Sequence, residues 1–152
     1  MIQFRAITDE NYMDLIQIKE NDGFCFATDF NFIADSLAMA WLNRDKGNTF
    51  PFAIYQDETL VGFMMLAHDL EERNLHLWRF MLSAEYRGRG YGIQAVELLI
   101  QLARDSGKYD HISLYCSPKS EAAFHIYEKV GFRPTGEVND GFVEFEFDLA
   151  RD

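Results

Sequence analysis

A glycine-rich turn flanked by arginines is the part of this sequence best suited to chemistry. It spans residues 87–92 (Arg-Gly-Arg-Gly-Tyr-Gly), follows a predicted strand and opens the strongest predicted helix. Glycine lets the backbone approach a ligand closely. The first turn of a helix offers free N–H groups and the positive end of the helix dipole, and the two arginines add charge. The turn therefore predicts a site for an anion such as a pyrophosphate.

The spacing of its glycines separates this turn from two common phosphate loops. The glycines follow G-x-G-x-G, whereas dinucleotide-binding folds use G-x-G-x-x-G. The chain also has no Gly-Lys-Ser or Gly-Lys-Thr, so the turn is not a Walker loop. From the residues alone, a tight connection without a ligand is an equally good interpretation.

The elements that position the turn alternate between strands and helices. Apolar residues at helical spacing predict helices over residues 10–19, 31–43, 90–106 and 117–130. Apolar runs and alternating patterns predict strands over residues 3–7, 50–55, 60–67, 74–82, 112–116, 132–138 and 142–149. The order β-α-α-β-β-β-α-β-α-β-β predicts an α/β fold with one mixed, mostly antiparallel sheet flanked by helices.

Local signals also predict where some helices begin and which face is buried. Thr8 or Asp9 is the predicted N-cap of the first helix. Ser117 is the predicted N-cap of the last helix, with Pro118 at its first position. In the second helix the predicted buried side consists of Ile33, Leu37, Ala40 and Trp41.

Length and composition restrict the class of protein. A chain of 152 residues with 48% apolar content predicts a single domain over residues 1–152 with a packed core. The longest apolar run, residues 60–67, is too short to cross a bilayer, and the N-terminus lacks a secretory signal, so we expect a cytoplasmic protein. Cys25 and Cys116 predict reduced thiols, and the histidines show no metal-ligand spacing, so we expect no metal.

The net charge of −11 argues against two kinds of partner. Nucleic acids and anionic membranes both favour positively charged proteins. The charge is uneven, because residues 73–133 carry nine basic and six acidic side chains, or +3, and the flanks carry −14. The central part suits an anion and the flanks suit a cation, although a merely solubilising acidic surface explains the flanks as well.

The motifs together resemble the GCN5-related N-acetyltransferase (GNAT) superfamily. Arg87, Gly90 and Gly92 match its R/Q-x-x-G-x-G/A signature. Matches in the same order are the strands at 52–55 and 60–63, the segment 80–86, and an A-x-x-x-Y-x-x-x-G-F segment over residues 123–132. The resemblance implies an acyl-CoA N-acyltransferase fold and direct acetyl transfer from acetyl-CoA to a primary amine. Residues 77–81 resemble the bacterial spermine/spermidine acetyltransferases, which implies a small cationic amine, a polyamine, as acceptor.

The resemblance also implies roles for individual residues. Tyr127 is the implied general acid for the CoA thiolate, although its apolar helical stripe is also typical of a core tyrosine. Backbone groups of Met81 and Leu82 are implied to hold the pantetheine arm and thioester, on a strand that splays from residues 112–116. The implied cofactor-binding residues are Met81, Leu82, Arg87, Gly88, Arg89, Gly90, Tyr91, Gly92, Ile93 and Ser120.

The general base is the least defined part of the predicted site. Glu72, His76, Glu85 and a chain of waters are candidates, and we favour Glu72 or a water. Some polyamine acetyltransferases have an acidic base on the fourth strand, where this chain has Trp78 and Arg79.

Two other functions and the oligomeric state stay open. The acceptor is alternatively a protein N-terminus or an aminoglycoside. A non-catalytic acyl-CoA-binding module is the other alternative, favoured by Ser120 at a position where the family often has Asn. The phenylalanines at positions 24, 26, 30 and 32 suit either a homodimer face, a substrate lid or, more commonly, core packing.

Overall fold

The computed structural model describes residues 1–18 and 31–150. Phe24, Cys25, Phe26 and Phe30, and the end of the predicted first helix, therefore lie outside the described residues. In chain order the elements are β1 (Ile2–Arg5), α1 (Tyr12–Ile16), α2 (Phe32–Leu42), β2 (Thr49–Gln56), β3 (Thr59–Asp69), β4 (Asn74–Leu82), α3 (Tyr91–Ser106), β5 (His111–Cys116), α4 (Glu121–Val130), β6 (Arg133–Asn139) and β7 (Phe142–Asp148).

The seven strands form one mixed sheet in the order β1-β2-β3-β4-β5-β7-β6. Neighbouring strands are antiparallel except β4 and β5, which are parallel and are connected through α3. A parallel pair needs such a crossover connection, and the amphipathic α3 supplies it. The predicted α/β fold and its mostly antiparallel sheet are confirmed.

The parallel pair opens before β4 ends. Its register runs from Asn74 opposite His111 to Leu77 opposite Leu114, whereas β4 continues to Leu82. The backbone groups of residues 78–82 that face β5 therefore lie outside the ladder. The predicted splay between these two strands is confirmed.

A β-bulge at Trp78 changes the direction in which the side chains of β4 point. Leu77 pairs with Leu66 and Arg79 pairs with Met65, so Trp78 is the extra residue. Leu77, before the bulge, packs in the cluster with α3 and α4. Beyond the bulge Phe80 packs against that cluster, whereas Met81 packs with α1 and α2. The bulge therefore brings Phe80 and Leu82 to the α3–α4 face, beside the opening.

Two predicted helix beginnings are wrong. The last helix begins at Glu121, because residues 117–120 form a turn in which the Ser120 N–H donates to the Ser117 carbonyl at 3.0 Å. Proline at the second position of such a turn is as favourable as proline in a first helical turn. The N-cap of α1 is Asn11, whose carbonyl accepts the first bond of the helix from the Leu15 N–H at 3.0 Å. Thr8 begins the turn before the helix, where its hydroxyl accepts a bond from the Glu10 N–H at 3.2 Å.

The predicted buried side of α2 is partly wrong. Phe32, Ile33 and Ser36 are its buried residues, whereas Trp41 is 64% exposed. The guanidinium of Arg44 lies 3.7 Å from the centre of the Trp41 ring and covers one face of it. In the described ranges, none of the helices is long and apolar enough to cross a membrane.

Candidate functional site

The turn between β4 and α3 has the backbone that its glycines predict. Gly88 and Gly90 have φ of +77° and +82°, where side chains with a Cβ are strained. Gly90 is the N-cap of α3, and the Gln94 N–H donates to its carbonyl at 3.1 Å. The N–H groups of residues 90–93 therefore precede the first internal hydrogen bond of the helix.

Gly92 is required for a different reason, which is packing. A Cβ at this position would lie 2.8 Å from Ile126 Cδ1 and 3.3 Å from Leu82 Cδ1. The missing side chain lets the first turn of α3 approach both α4 and the end of β4. These three elements enclose the site.

A cavity of about 620 Å³ lies between the splayed strands, the turn and α4. Most of the predicted site residues line it, and they are Leu82, Arg87, Gly88, Gly90, Tyr91, Gly92, Ile93, Ser120 and Tyr127. Lys119 and Glu121 also line it and add one positive and one negative charge that the sequence analysis did not single out. The size is that of an ordinary small-molecule site. We call this space the first cavity.

Three predicted residues do not line the first cavity. The Met81 side chain is buried on the opposite face, so its predicted backbone contact stays a prediction. The Arg89 guanidinium lies 5.5 Å from the Tyr86 ring. Glu72 lies in the turn before β4, where its N–H donates to the Asp69 carboxylate at 3.2 Å. Glu72 lines neither this cavity nor the second one described below.

Arg87 and Tyr127 combine burial with access to the first cavity. Arg87 Nη2 donates to the Leu82 carbonyl at 3.4 Å, and burial lowers the pKa of its guanidinium, which still stays charged at neutral pH. Tyr127 is 7% exposed, and its ring packs edge-on against Phe132 with 5.7 Å between centres. Tyr127 is therefore both a core residue and a cavity residue.

Ser120 lines the first cavity from the beginning of α4. It is the N-cap residue, but its hydroxyl makes no capping hydrogen bond. Its backbone carbonyl accepts the first bond of the helix from the Phe124 N–H at 3.0 Å. Ser120 is therefore a cavity residue whose hydroxyl does not cap the helix.

A second cavity of about 490 Å³ lies across the opening between β4 and β5. It is lined by Ala67, His76, Trp78, Tyr115, Asn139, Asp140 and Phe142. Trp78 and Tyr115 line both cavities, so the two spaces meet where the strands separate. Sequence reasoning missed this arrangement, because the bulge that brings Trp78 to the opening has no signal in the sequence.

The sheet presents acidic and hydroxyl side chains on the face of the second cavity. Leu114 and Phe145 belong to the core under α3 and α4, so the residues next to them on each strand point the other way. These residues are Ser113, Tyr115, Glu144 and Glu146. The register puts Tyr115 opposite Glu144, whose carboxylate raises the pKa of the Tyr115 phenol. We call this surface, together with Asp140, the acidic face.

The signal for the acidic face was present in the sequence. Residues 142–148 alternate apolar and acidic side chains, which predicts a strand with one charged face. The neighbours of that face were not predictable, because β7 lies between β5 and β6 in the sheet. In the described part of the chain, no three His, Cys, Asp or Glu residues are grouped closely enough to hold a metal ion.

Comparison with known proteins places this chain in a family. The family model of the acetyltransferase (GNAT) family matches residues 14–132. The spermine/spermidine N(1)-acetyltransferase of Bacillus subtilis is 24% identical over 144 residues, which cover 91% of each chain. The human N-acetyltransferase 8B is 34% identical over 68 residues, which cover 45% of this chain and 30% of that protein.

Solved structures show the same fold at low identity. The spermidine N-acetyltransferase of Vibrio cholerae in complex with CoA and spermine has a TM-score of 0.78 and 14% identity, and the match covers 97% of this chain and 95% of that one. The PaiA N-acetyltransferase of Thermoplasma acidophilum in complex with coenzyme A has a TM-score of 0.73 and 17% identity, with 97% and 99% covered.

Proposed function

The chain belongs to the acetyltransferase (GNAT) family, and we propose that it moves the acetyl group of acetyl-CoA to a primary amine of a polyamine such as spermine or spermidine. One observation carries the proposal. Two cavities of opposite chemical character meet at Trp78 and Tyr115, in the gap between β4 and β5. One suits an anionic acyl donor and the other suits a cationic acceptor.

The first cavity has the groups that acetyl-CoA needs. The N–H groups of residues 90–93 and the charge of Arg87 suit the pyrophosphate. Beyond Leu77, the backbone of β4 has donors and acceptors outside the ladder, which suit the amide groups of a pantetheine arm. A β4 N–H also suits the thioester oxygen, on which negative charge builds during transfer.

The second cavity suits a polycation. Glu144, Glu146 and Asp140 give its surroundings a negative potential, which raises the local concentration and the association rate of a cationic ligand. The B. subtilis relative, which is named for spermine and spermidine, supports the same class of acceptor. An aminoglycoside is also a polycation, so the acidic face alone does not separate these two classes.

Transfer in this arrangement is a direct attack in a ternary complex, because the two cavities adjoin at Trp78 and Tyr115, which line both. The acceptor nitrogen forms a bond to the acetyl carbon, and the carbon–sulfur bond breaks. Tyr127 supplies the proton to the leaving sulfur, as the family resemblance implies and as its place in the wall of the first cavity allows.

A panel of amines assayed with acetyl-CoA for release of free thiol tests the proposal. The panel contains spermine, spermidine, an aminoglycoside and a peptide with a free N-terminus. We expect the highest kcat/KM for spermine or spermidine. A higher value for the aminoglycoside or the peptide would overturn the acceptor, and tight binding of acetyl-CoA without transfer to any amine would show a binding module.

A further inference from the structure

An acceptor amine must lose a proton before it attacks, and the proposed function leaves that step without a residue. An alkyl ammonium has a pKa near 10.4, so it is charged at neutral pH. Glu72 lines neither cavity. Among the described residues that line the second cavity, His76 is the side chain whose unperturbed pKa suits a base at neutral pH.

His76 is held in place at the wall of the second cavity. Its Nδ1 lies 2.8 Å from the hydroxyl of Ser113, which also accepts a hydrogen bond of 2.8 Å from Asn74 Nδ2. The ring packs edge-on against Tyr115 with 5.6 Å between centres. Because Ser113 engages Nδ1, Nε2 is the ring nitrogen that is available to a ligand. His76 precedes Trp78, which lines both cavities, by two residues.

We propose that His76 Nε2 is the general base that takes the proton of the acceptor ammonium, directly or through one water; this rests on the proposed function, since it requires an amine in the second cavity. Nδ1 keeps its hydrogen and donates it to Ser113. One ammonium proton passes to Nε2 before the attack. As the nitrogen–carbon bond then forms and the carbon–sulfur bond breaks, the Tyr127 proton passes to sulfur, and the second proton lost by the attacking nitrogen returns through water to the Tyr127 phenolate. His76 then releases its proton to solvent through the second cavity, and the net products are the acetamide, CoA thiol and one proton.

The surroundings keep His76 in the neutral form that a base requires. Burial lowers the pKa of His76, and the negative charge of Glu144 on β7 opposes this only in part. Among the described residues, the other ionisable groups that line the second cavity are Tyr115 on β5 and Asp140 in the turn after β6, and Glu146 on β7 lies opposite Ser113, the partner of His76. Below this lowered pKa the ring gains a proton and cannot accept another. We expect kcat/KM to fall as the pH falls through that value.

The variant His76→Gln tests the inference, with His68→Gln as its matched control. His68 is on the neighbouring strand, and its Nδ1 also contacts a hydroxyl, that of Tyr109 at 2.7 Å. At pH 7 we expect kcat/KM for spermine to fall about 100-fold or more in His76→Gln and to stay within about threefold in His68→Gln. The acid limb of the pH profile is expected to disappear in His76→Gln.

A weakly basic primary amine, one that is mostly uncharged at pH 7, separates a base from a structural residue. Such an acceptor needs no base to become uncharged, so we expect the loss of kcat/KM in His76→Gln to shrink to about tenfold or less. We expect the same smaller loss with spermine at pH 10, where more of the amine is uncharged. A defect that is equally large for both acceptors and at both pH values overturns the inference, as does a His76→Gln enzyme with wild-type kcat/KM. A wild-type protein that acetylates no amine overturns the proposed function, and this inference with it.

Discussion

The Arg79 guanidinium lies 2.8 Å from the Asp35 carboxylate and 2.9 Å from the Ser36 hydroxyl, and so it joins β4 to α2. The side chains of Arg79 and Asp35 are only 16% and 32% exposed. Arg79 directly follows the bulged Trp78, whose ring it approaches to 5.6 Å. The pair therefore holds the part of β4 at which the two cavities meet.

Removal of one partner of this pair is expected to destabilise the fold. Asp35→Ala leaves the charge of Arg79 partly buried without its carboxylate, which costs about 1–3 kcal/mol of unfolding free energy after allowance for partial exposure. Denaturant unfolding measures it. Glu58→Ala, which removes an ion pair with Arg5 from a carboxylate that is 89% exposed, is the control and should stay close to wild type. Equal stability of the two variants would contradict the role given to Arg79.

The hydroxyl of Tyr127 is expected to matter for turnover but not for folding. Tyr127→Phe keeps the ring that packs against Phe132 and removes only the proton donor. We expect kcat to fall about 100-fold with little change in melting temperature. Tyr109→Phe removes another hydroxyl, outside both cavities, and serves as the control. Turnover of Tyr127→Phe within about threefold of wild type would rule out the general acid.

Substitution of two glycines at opposite ends of α3 distinguishes an effect on stability from an effect on ligand binding. Gly90 and Gly107 both have positive φ, with no atom closer than 3.8 Å to an added Cβ. Alanine at either position is therefore expected to cost about 1–2 kcal/mol of stability through backbone strain. Only Gly90→Ala is expected to weaken binding of CoA as well, because only Gly90 lies at the predicted pyrophosphate site. Calorimetric titration with CoA checks this, and equal affinities of the two variants would contradict the site.

The acidic face is expected to make catalysis sensitive to salt. Electrostatic attraction between Glu144 or Glu146 and a polyamine is screened by ions, so kcat/KM for spermine should fall steeply between low and physiological ionic strength. Glu144→Gln should lower kcat/KM at low salt and flatten this dependence. Glu97→Gln, an exposed residue of α3, is the control. A kcat/KM of the wild-type enzyme that does not change with salt would show that the acidic face does not attract the substrate.

The turn of the first cavity, which is proposed to bind the acyl donor, was predictable because its residues are consecutive in the sequence. The turn, its glycines and the beginning of α3 are consecutive, so spacing alone places Gly90 at the helix N-terminus. The amphipathic pattern of residues 91–106 and the glycine that follows it determine the rest of α3. The family resemblance added Tyr127, whose apolar surroundings otherwise predict a core residue.

The arrangement around the second cavity, which is proposed to bind the acceptor amine, was not predictable, because its residues come from strands that are distant in the chain. His76, Tyr115 and Glu144 meet only because β5 lies beside β4 and β7 lies beside β5. The bulge at Trp78 then decides which side chains reach the opening, and no residue type specifies a bulge by itself. Glu72, the base favoured from the sequence, lines neither cavity, and its position along the chain gave no information on that placement.

A crystal structure of the protein with coenzyme A bound is the most direct measurement. We expect the pyrophosphate oxygens within about 3 Å of the N–H groups of residues 90–93 and the pantetheine arm beside β4, with its sulfur near Tyr127. A nucleotide bound elsewhere, while the turn at residues 87–93 contacts only the rest of the chain, would contradict the assignment of the first cavity to acetyl-CoA.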